Sequence, residues 1–93
     1  MTTEDVEKEL LHYIREEFLW GDENNELTVT TPLLEWGIID SLRTALLLTW
    51  ARERYGVHVS PAEVNSRNFR NVRCIAALVT AEIDQHAGEE IVR

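Results

Sequence analysis

The residues best placed to do chemistry are Asp40 and Ser41, inside the run Gly37-Ile38-Ile39-Asp40-Ser41-Leu42. This run ends a long polar-then-apolar stretch and opens a strongly apolar helical segment. A serine hydroxyl therefore falls at the exposed start of a helix. Asp40 suits the N-cap, because its carboxylate can accept from the unpaired amides of the first turn. Ser41 then lies where backbone N–H groups and the helix dipole create positive potential, a favourable place for a phosphate ester. Asp-Ser pairs also occur simply as helix caps, so the tripeptide by itself leaves both readings open.

The other reactive side chains do not assemble into a site. His12, His58 and His86 lie on three different segments, and none shows ligand spacing with Cys74 or a carboxylate. Cys74 comes one position before Ile75 in a helical pattern and reads as a partly buried, inert thiol. Ser41 has no general base in view, which suits a residue modified by another enzyme better than a nucleophile that activates itself. There is no phosphate-cradling glycine loop. The acidic runs Glu16-Glu17 and Asp22-Glu23 read as solvated surface.

Composition narrows the classes further. Ninety-three residues, 44% hydrophobic and 28% charged, suit one globular domain with no room for a second core. A net charge of −8 argues against a nucleic-acid partner and disfavours an anionic membrane surface. No apolar stretch has the length of a membrane span, and Thr2-Thr3-Glu4-Asp5 is the reverse of a basic signal-peptide start. One cysteine excludes an internal disulfide, so a cytoplasmic location is expected.

The elements that must position Ser41 follow from periodicity. Thr2 or Thr3 caps a first helix over about residues 3–19, where Val6, Leu10, Tyr13, Ile14 and Phe18 form one stripe, with Gly21 as the stop. Residues 21–40 are a long connection, solvated through Glu26 and then rich in Leu27, Val29, Leu33, Leu34, Trp36, Ile38 and Ile39, all expected to be buried. Thr31-Pro32 predicts one short helical turn through Glu35; a strand over 28–30 is the lesser alternative. A second helix runs from Ser41 to about Tyr55 before Gly56, with Ala45, Leu47, Leu48, Ala51 and Tyr55 as its core face. Arg43, Leu46, Trp50 and Glu53 then share the opposite face. Ser60-Pro61-Ala62-Glu63 has the form of a capping box opening a short helical piece that reaches about Val64 to Ser66. Asn71 caps the last helix, with Ile75, Leu78, Val79 and Ile83 facing inward and an end near Gln85 or His86. The expected fold is all-α: a four-helix bundle with three longer helices, one short helix and a long first connection. Its core covers about residues 4–85, with 86–93 as a frayed tail.

The run at residues 37–42, together with these helix lengths, the long loop and the Asn71-Val72-Arg73 opening of the last helix, resembles acyl and peptidyl carrier proteins. The resemblance covers roughly residues 4–85 and is specific at 37–42. It implies that Ser41, framed by Asp40 and Leu42, carries 4′-phosphopantetheine taken from coenzyme A, and that the protein is a non-catalytic carrier of thioester-bound intermediates. It also implies three kinds of partner: a phosphopantetheinyl transferase, an adenylating or acyltransferase loading enzyme, and a downstream synthase or tailoring enzyme. Fatty-acid carriers usually present an acidic second helix, whereas this one offers Arg43, Leu46, Thr49, Trp50 and Arg52. With Glu35-Trp36 ahead of the motif, the chain looks more like free-standing carriers of aminoacyl or specialised acyl groups, in polyketide or nonribosomal peptide biosynthesis. Arg43, Leu46 and Trp50 are the expected partner-binding residues, the alternative for Leu46 and Trp50 being cover by the long loop. Two other readings stand beside this one. The first is a small helical interaction module in which Asp40-Ser41 only caps a helix; the second is a minimal hydrolase built on Ser41.

Overall fold

The computed structural model describes residues 2–19 and 27–92, with side chains described as far as residue 84. Among these residues the regular structure is entirely helical. Helix α1 spans Thr3–Phe18, α2 Ser41–Tyr55 and α3 Val72–Val92. The short fourth helix expected after Ser60 is a single 3-10 turn, Pro61–Glu63. Ser60 does cap it, accepting from the Ala62 amide, but Glu63 does not complete the box: its carboxylate accepts from the Asn68 side chain at 3.1 Å. The reciprocal capping box is instead at α1, between Thr2 and Asp5. The Thr28–Thr30 stretch is turn rather than strand.

The α1 stripe packs as its spacing dictates, with Val6, Leu10, Ile14 and Phe18 all buried. It meets α3 through Val72, Ile75, Ala76 and Val79 in one continuous core. Asn71 caps α3 by accepting from the Cys74 amide at 2.9 Å. The helix continues to Val92, past the end expected near His86. Ala87, Glu89 and Glu90 are good helix formers, and one glycine among them costs only about 1 kcal/mol. The proposed stop at Gly21 and the polar stretch around it lie outside the described residues.

Helix α2 keeps most of its expected core face, with Leu47 and Ala51 buried and Leu48 and Tyr55 packed against the core, and departs from it at three positions. Thr44 is buried, Ala45 is exposed, and Trp50 packs against the core. The cause is aromatic packing around Trp50, which stacks on Tyr13 of α1, with centroids 4.6 Å apart, and is met edge-on by Tyr55 of α2 at 5.6 Å. Offset stacking and edge contacts suit the ring quadrupoles and bury large areas, which outweighs the small gain from covering Ala45.

The connection before α2 is stitched to the start of α3. The Leu33 amide donates to the Arg70 carbonyl at 2.9 Å, and the Arg73 amide to the Val29 carbonyl at 3.0 Å. The Trp36 amide bonds back to the Pro32 carbonyl, which makes the single turn expected there. Leu27, Leu33, Ile38 and Ile39 are buried. Leu34 and Trp36 are not, at 40% and 58% exposure, against the expectation for the segment as a whole. The turn is too tight to direct every apolar side chain inward, and the Leu33 carbonyl receives both the Ile38 and Ile39 amides, closing a loop that leaves 34 and 36 outside. Gly37 makes that closure with φ +70°, a conformation that costs little only without a Cβ.

Candidate functional site

Asp40 is the N-cap of α2, in an extended conformation, and its Oδ1 accepts from the Arg43 amide at 2.9 Å. Its own carbonyl accepts from the Thr44 amide at 2.8 Å and begins the helix ladder. Ser41 is therefore the first helical residue, and its side chain is exposed. The amides of Ser41 and Leu42 belong to the first turn and have no acceptor within the helix. They and the helix dipole supply positive potential at the serine. Leu42 projects into solvent, 70% exposed, beside it.

Arg43 does something the sequence did not announce. Its Nη1 donates to the Ile38 carbonyl at 3.2 Å, with a longer contact of 3.4 Å to the Gly37 carbonyl. The guanidinium also lies over the Phe18 ring, 5.8 Å from its centroid. The side chain expected to face partners instead ties the turn before Ser41 to α2 and α1. Of the other two residues on that expected face, Leu46 is exposed and Trp50 is held against Tyr13. Among the described residues, the aromatic neighbours of Trp50 are Tyr13 of α1 and Tyr55 of its own helix.

An open cleft of about 500 Å³ adjoins Ser41. One side comprises Asp40, Ser41 and Thr44; the other comprises Leu34 with Val64, Asn65, Ser66 and Phe69. The far wall was not legible as part of a site, because residues 64–69 have no periodicity and lie more than twenty positions from the serine. Their bend is held by the Asn65 side chain, which accepts from the Asn68 amide at 2.8 Å, and by buried Phe69. The arrangement fits a 4′-phosphopantetheine group: an exposed hydroxyl at a helix start for its phosphate, and a mixed apolar and polar groove for a flexible arm. Among the described residues no cluster of His, Cys, Asp and Glu could hold a metal ion. No described helix is long and apolar enough to cross a membrane.

Comparison with known proteins agrees with this geometry. Residues 9–81 match the family described as phosphopantetheine attachment site. The chain is 32% identical over 74 residues to "Probable acyl carrier protein PigG" of Serratia sp. (strain ATCC 39006), covering 80% of this chain and 84% of that protein. It also superposes with a TM-score of 0.69 and 40% identity on a chain in a solved structure titled "Crystal structure of FAD-dependent dehydrogenase", covering 75% of this chain and 97% of that one. The cap-only interaction module and the minimal hydrolase give way to this assignment. The protein belongs to the acyl and peptidyl carrier protein family, non-catalytic carriers whose cofactor is covalent 4′-phosphopantetheine.

Proposed function

We propose that Ser41 is the attachment residue and that the protein is a free-standing acyl or aminoacyl carrier of a polyketide or nonribosomal peptide type pathway in the cytoplasm. The observation that carries this reading is the exposed Ser41 hydroxyl at the capped start of α2, opening onto the 500 Å³ cleft. In loading, the Ser41 Oγ displaces 3′,5′-ADP from coenzyme A. A phosphoester bond forms at Oγ, the diphosphate P–O bond breaks, and the hydroxyl proton passes to a base on the transferase. Asp40 fixes the first turn, and the free amides of Ser41 and Leu42 face the phosphodiester charge. The arm, once attached, supplies the terminal thiol that holds cargo as a thioester.

The relatives support a discrete carrier, since the match spans most of each of them. The chain matched in the dehydrogenase structure is shorter than this one, as 75% of this chain spans 97% of it. A chain of that size has no room for a flavin-binding fold, so it is read as a carrier beside its enzyme. A flavin-dependent dehydrogenase acting on the thioester-bound cargo is therefore proposed as the tailoring partner of the present protein. The transferase and a loading enzyme are its other partners.

The test is an intact-mass measurement after incubation with coenzyme A and a broad-specificity phosphopantetheinyl transferase. Wild type gains one phosphopantetheine mass and Ser41→Ala gains none, with an unchanged melting temperature. Modification that persists in Ser41→Ala would move the arm elsewhere and sink the assignment.

A further inference from the structure

The charge of this chain is strongly polarised along its length. Residues 37–73 hold six of the nine basic residues and three of the seventeen acidic ones, a local balance of +3 inside a chain of −8. Part of that positive charge is gathered beside the serine. A second open cleft, of about 370 Å³, adjoins the Ser41 cleft and shares Leu34 and Ser66 with it. Arg67 and Arg70 line this second cleft, opposed only by Glu35 among its charged residues. Both arginines are exposed, and neither is paired with a carboxylate among the described residues. Other arginines are committed: Arg54 to Glu9 at 2.8 Å, Arg73 near Glu7 at 3.8 Å, and Arg43 to loop carbonyls. Exposed Leu34 lines both clefts, with the two free guanidinium groups in one and Ser41 and exposed Val64 in the other.

Building on the reading of Ser41 as the attachment residue, we propose that Leu34, Val64, Arg67 and Arg70 form a docking face for an acidic, apolar-centred patch on the partner dehydrogenase. Guanidinium forks match carboxylates in a bidentate way, and Leu34 and Val64 need an apolar complement to leave water. A basic partner surface would be repelled at this face. The two unpaired guanidinium groups favour an acidic surface as the two proteins approach. A second copy of this chain, through its acidic part, is the rival occupant. It would cover the cleft at Ser41, whereas an enzyme docked here receives the arm at its own active site.

The experiment uses the dehydrogenase of the solved structure as probe and holo-protein loaded at Ser41, verified by intact mass before each titration. Affinity is measured by calorimetry at about 50 mM and about 300 mM salt. The wild type binds and weakens as salt rises. The double variant Arg67→Glu/Arg70→Glu weakens by about tenfold at low salt and loses most of its salt dependence, while Arg67→Gln/Arg70→Gln falls between. Arg52→Glu, exposed elsewhere on α2, stays within about twofold of wild type. Equal affinity of the double reversal and wild type overturns the proposal, and so does a wild type that does not bind. Self-association of wild type abolished by the double reversal assigns the face to a second copy instead. Failure of wild type to load at Ser41 is a separate result, and it refutes the reading of Ser41 as the attachment residue.

Discussion

The indole of Trp50 lies stacked on the ring of Tyr13, 4.6 Å between centroids and 20° between planes. This pair joins α2 to α1 next to a second link, in which the Tyr55 hydroxyl and the Arg54 guanidinium both donate to Glu9. Aromatic surface and one carboxylate thus add to the core contacts of Leu47 and Ala51 in holding α2 to the bundle, and Trp50 belongs to the stability of the fold. Trp50→Ala is expected to cost about 2 kcal/mol, below the 3–5 of a fully buried aromatic because Trp50 is half-buried. A double-mutant cycle with Tyr13→Ala should return a coupling of about 0.5–1.5 kcal/mol. Urea unfolding measures both, and additive losses would show that the stack contributes nothing beyond area.

Asp40 holds the start of α2, so Asp40→Ala should lower stability by roughly 0.5–2 kcal/mol and slow loading by the transferase. Asparagine caps nearly as well as aspartate, so Asp40→Asn should keep the stability. Its loading rate then isolates what the carboxylate charge does for the transferase. Native stability and native loading in Asp40→Ala would remove the cap from the account.

Arg43 is predicted to act on the turn before Ser41. Arg43→Met removes the donor to the Ile38 and Gly37 carbonyls and should cost about 1 kcal/mol. Loading should suffer through kcat more than KM, since the serine remains accessible while its frame loosens. Faster amide exchange at Gly37 and Ile38 is the accompanying sign. A variant that changes KM alone would return Arg43 to the role of a docking charge.

Glu9 supplies a pH dependence with a definite sign. The hydrogen bonds from Tyr55 and Arg54 hold its carboxyl below the ordinary value of 4.5. A carboxylate with a depressed folded pKa adds stability above its unfolded value, and that stability is lost as pH falls through the folded one. Stability should therefore decline below about pH 4.5, less steeply in Tyr55→Phe and Arg54→Ala. At the other extreme, burial and the bond to Glu9 raise the Tyr55 hydroxyl above 10.0. Stability present below pH 10 is then lost as pH rises further, a limb that Tyr55→Phe should lack. Unfolding midpoints across the two ranges decide it.

Periodic segments were mostly readable and irregular ones only in part. Val6, Leu10, Ile14 and Phe18 name their own face because a helix returns every 3.6 residues. Asp40 and Asn71 name their own caps, because few residues stand so well before a first turn. Leu34 and Trp36 look like core by composition, yet only the hydrogen bonds at the Leu33 carbonyl decide which side chains of that turn face out. Trp50 was misplaced for a related reason: the apolar residues of α2 spread around the helix, and only the position of Tyr13 selects among them. The serine was plain, whereas the cleft wall at residues 64–69 depends on a tertiary approach that no local pattern encodes.

The stitching of Leu33 to Arg70 and of Val29 to Arg73 also sets an order of events during synthesis. The turn that frames Ser41 depends on backbone partners some forty positions downstream, which the ribosome adds late. A nascent chain that already displays Ser41 lacks the acceptor at residue 70, so the connection before the serine is not yet tied down. Recognition of a folded serine thus comes after nearly the whole domain has been made. Chains truncated before Arg70 should be poor transferase substrates although the six-residue motif is intact.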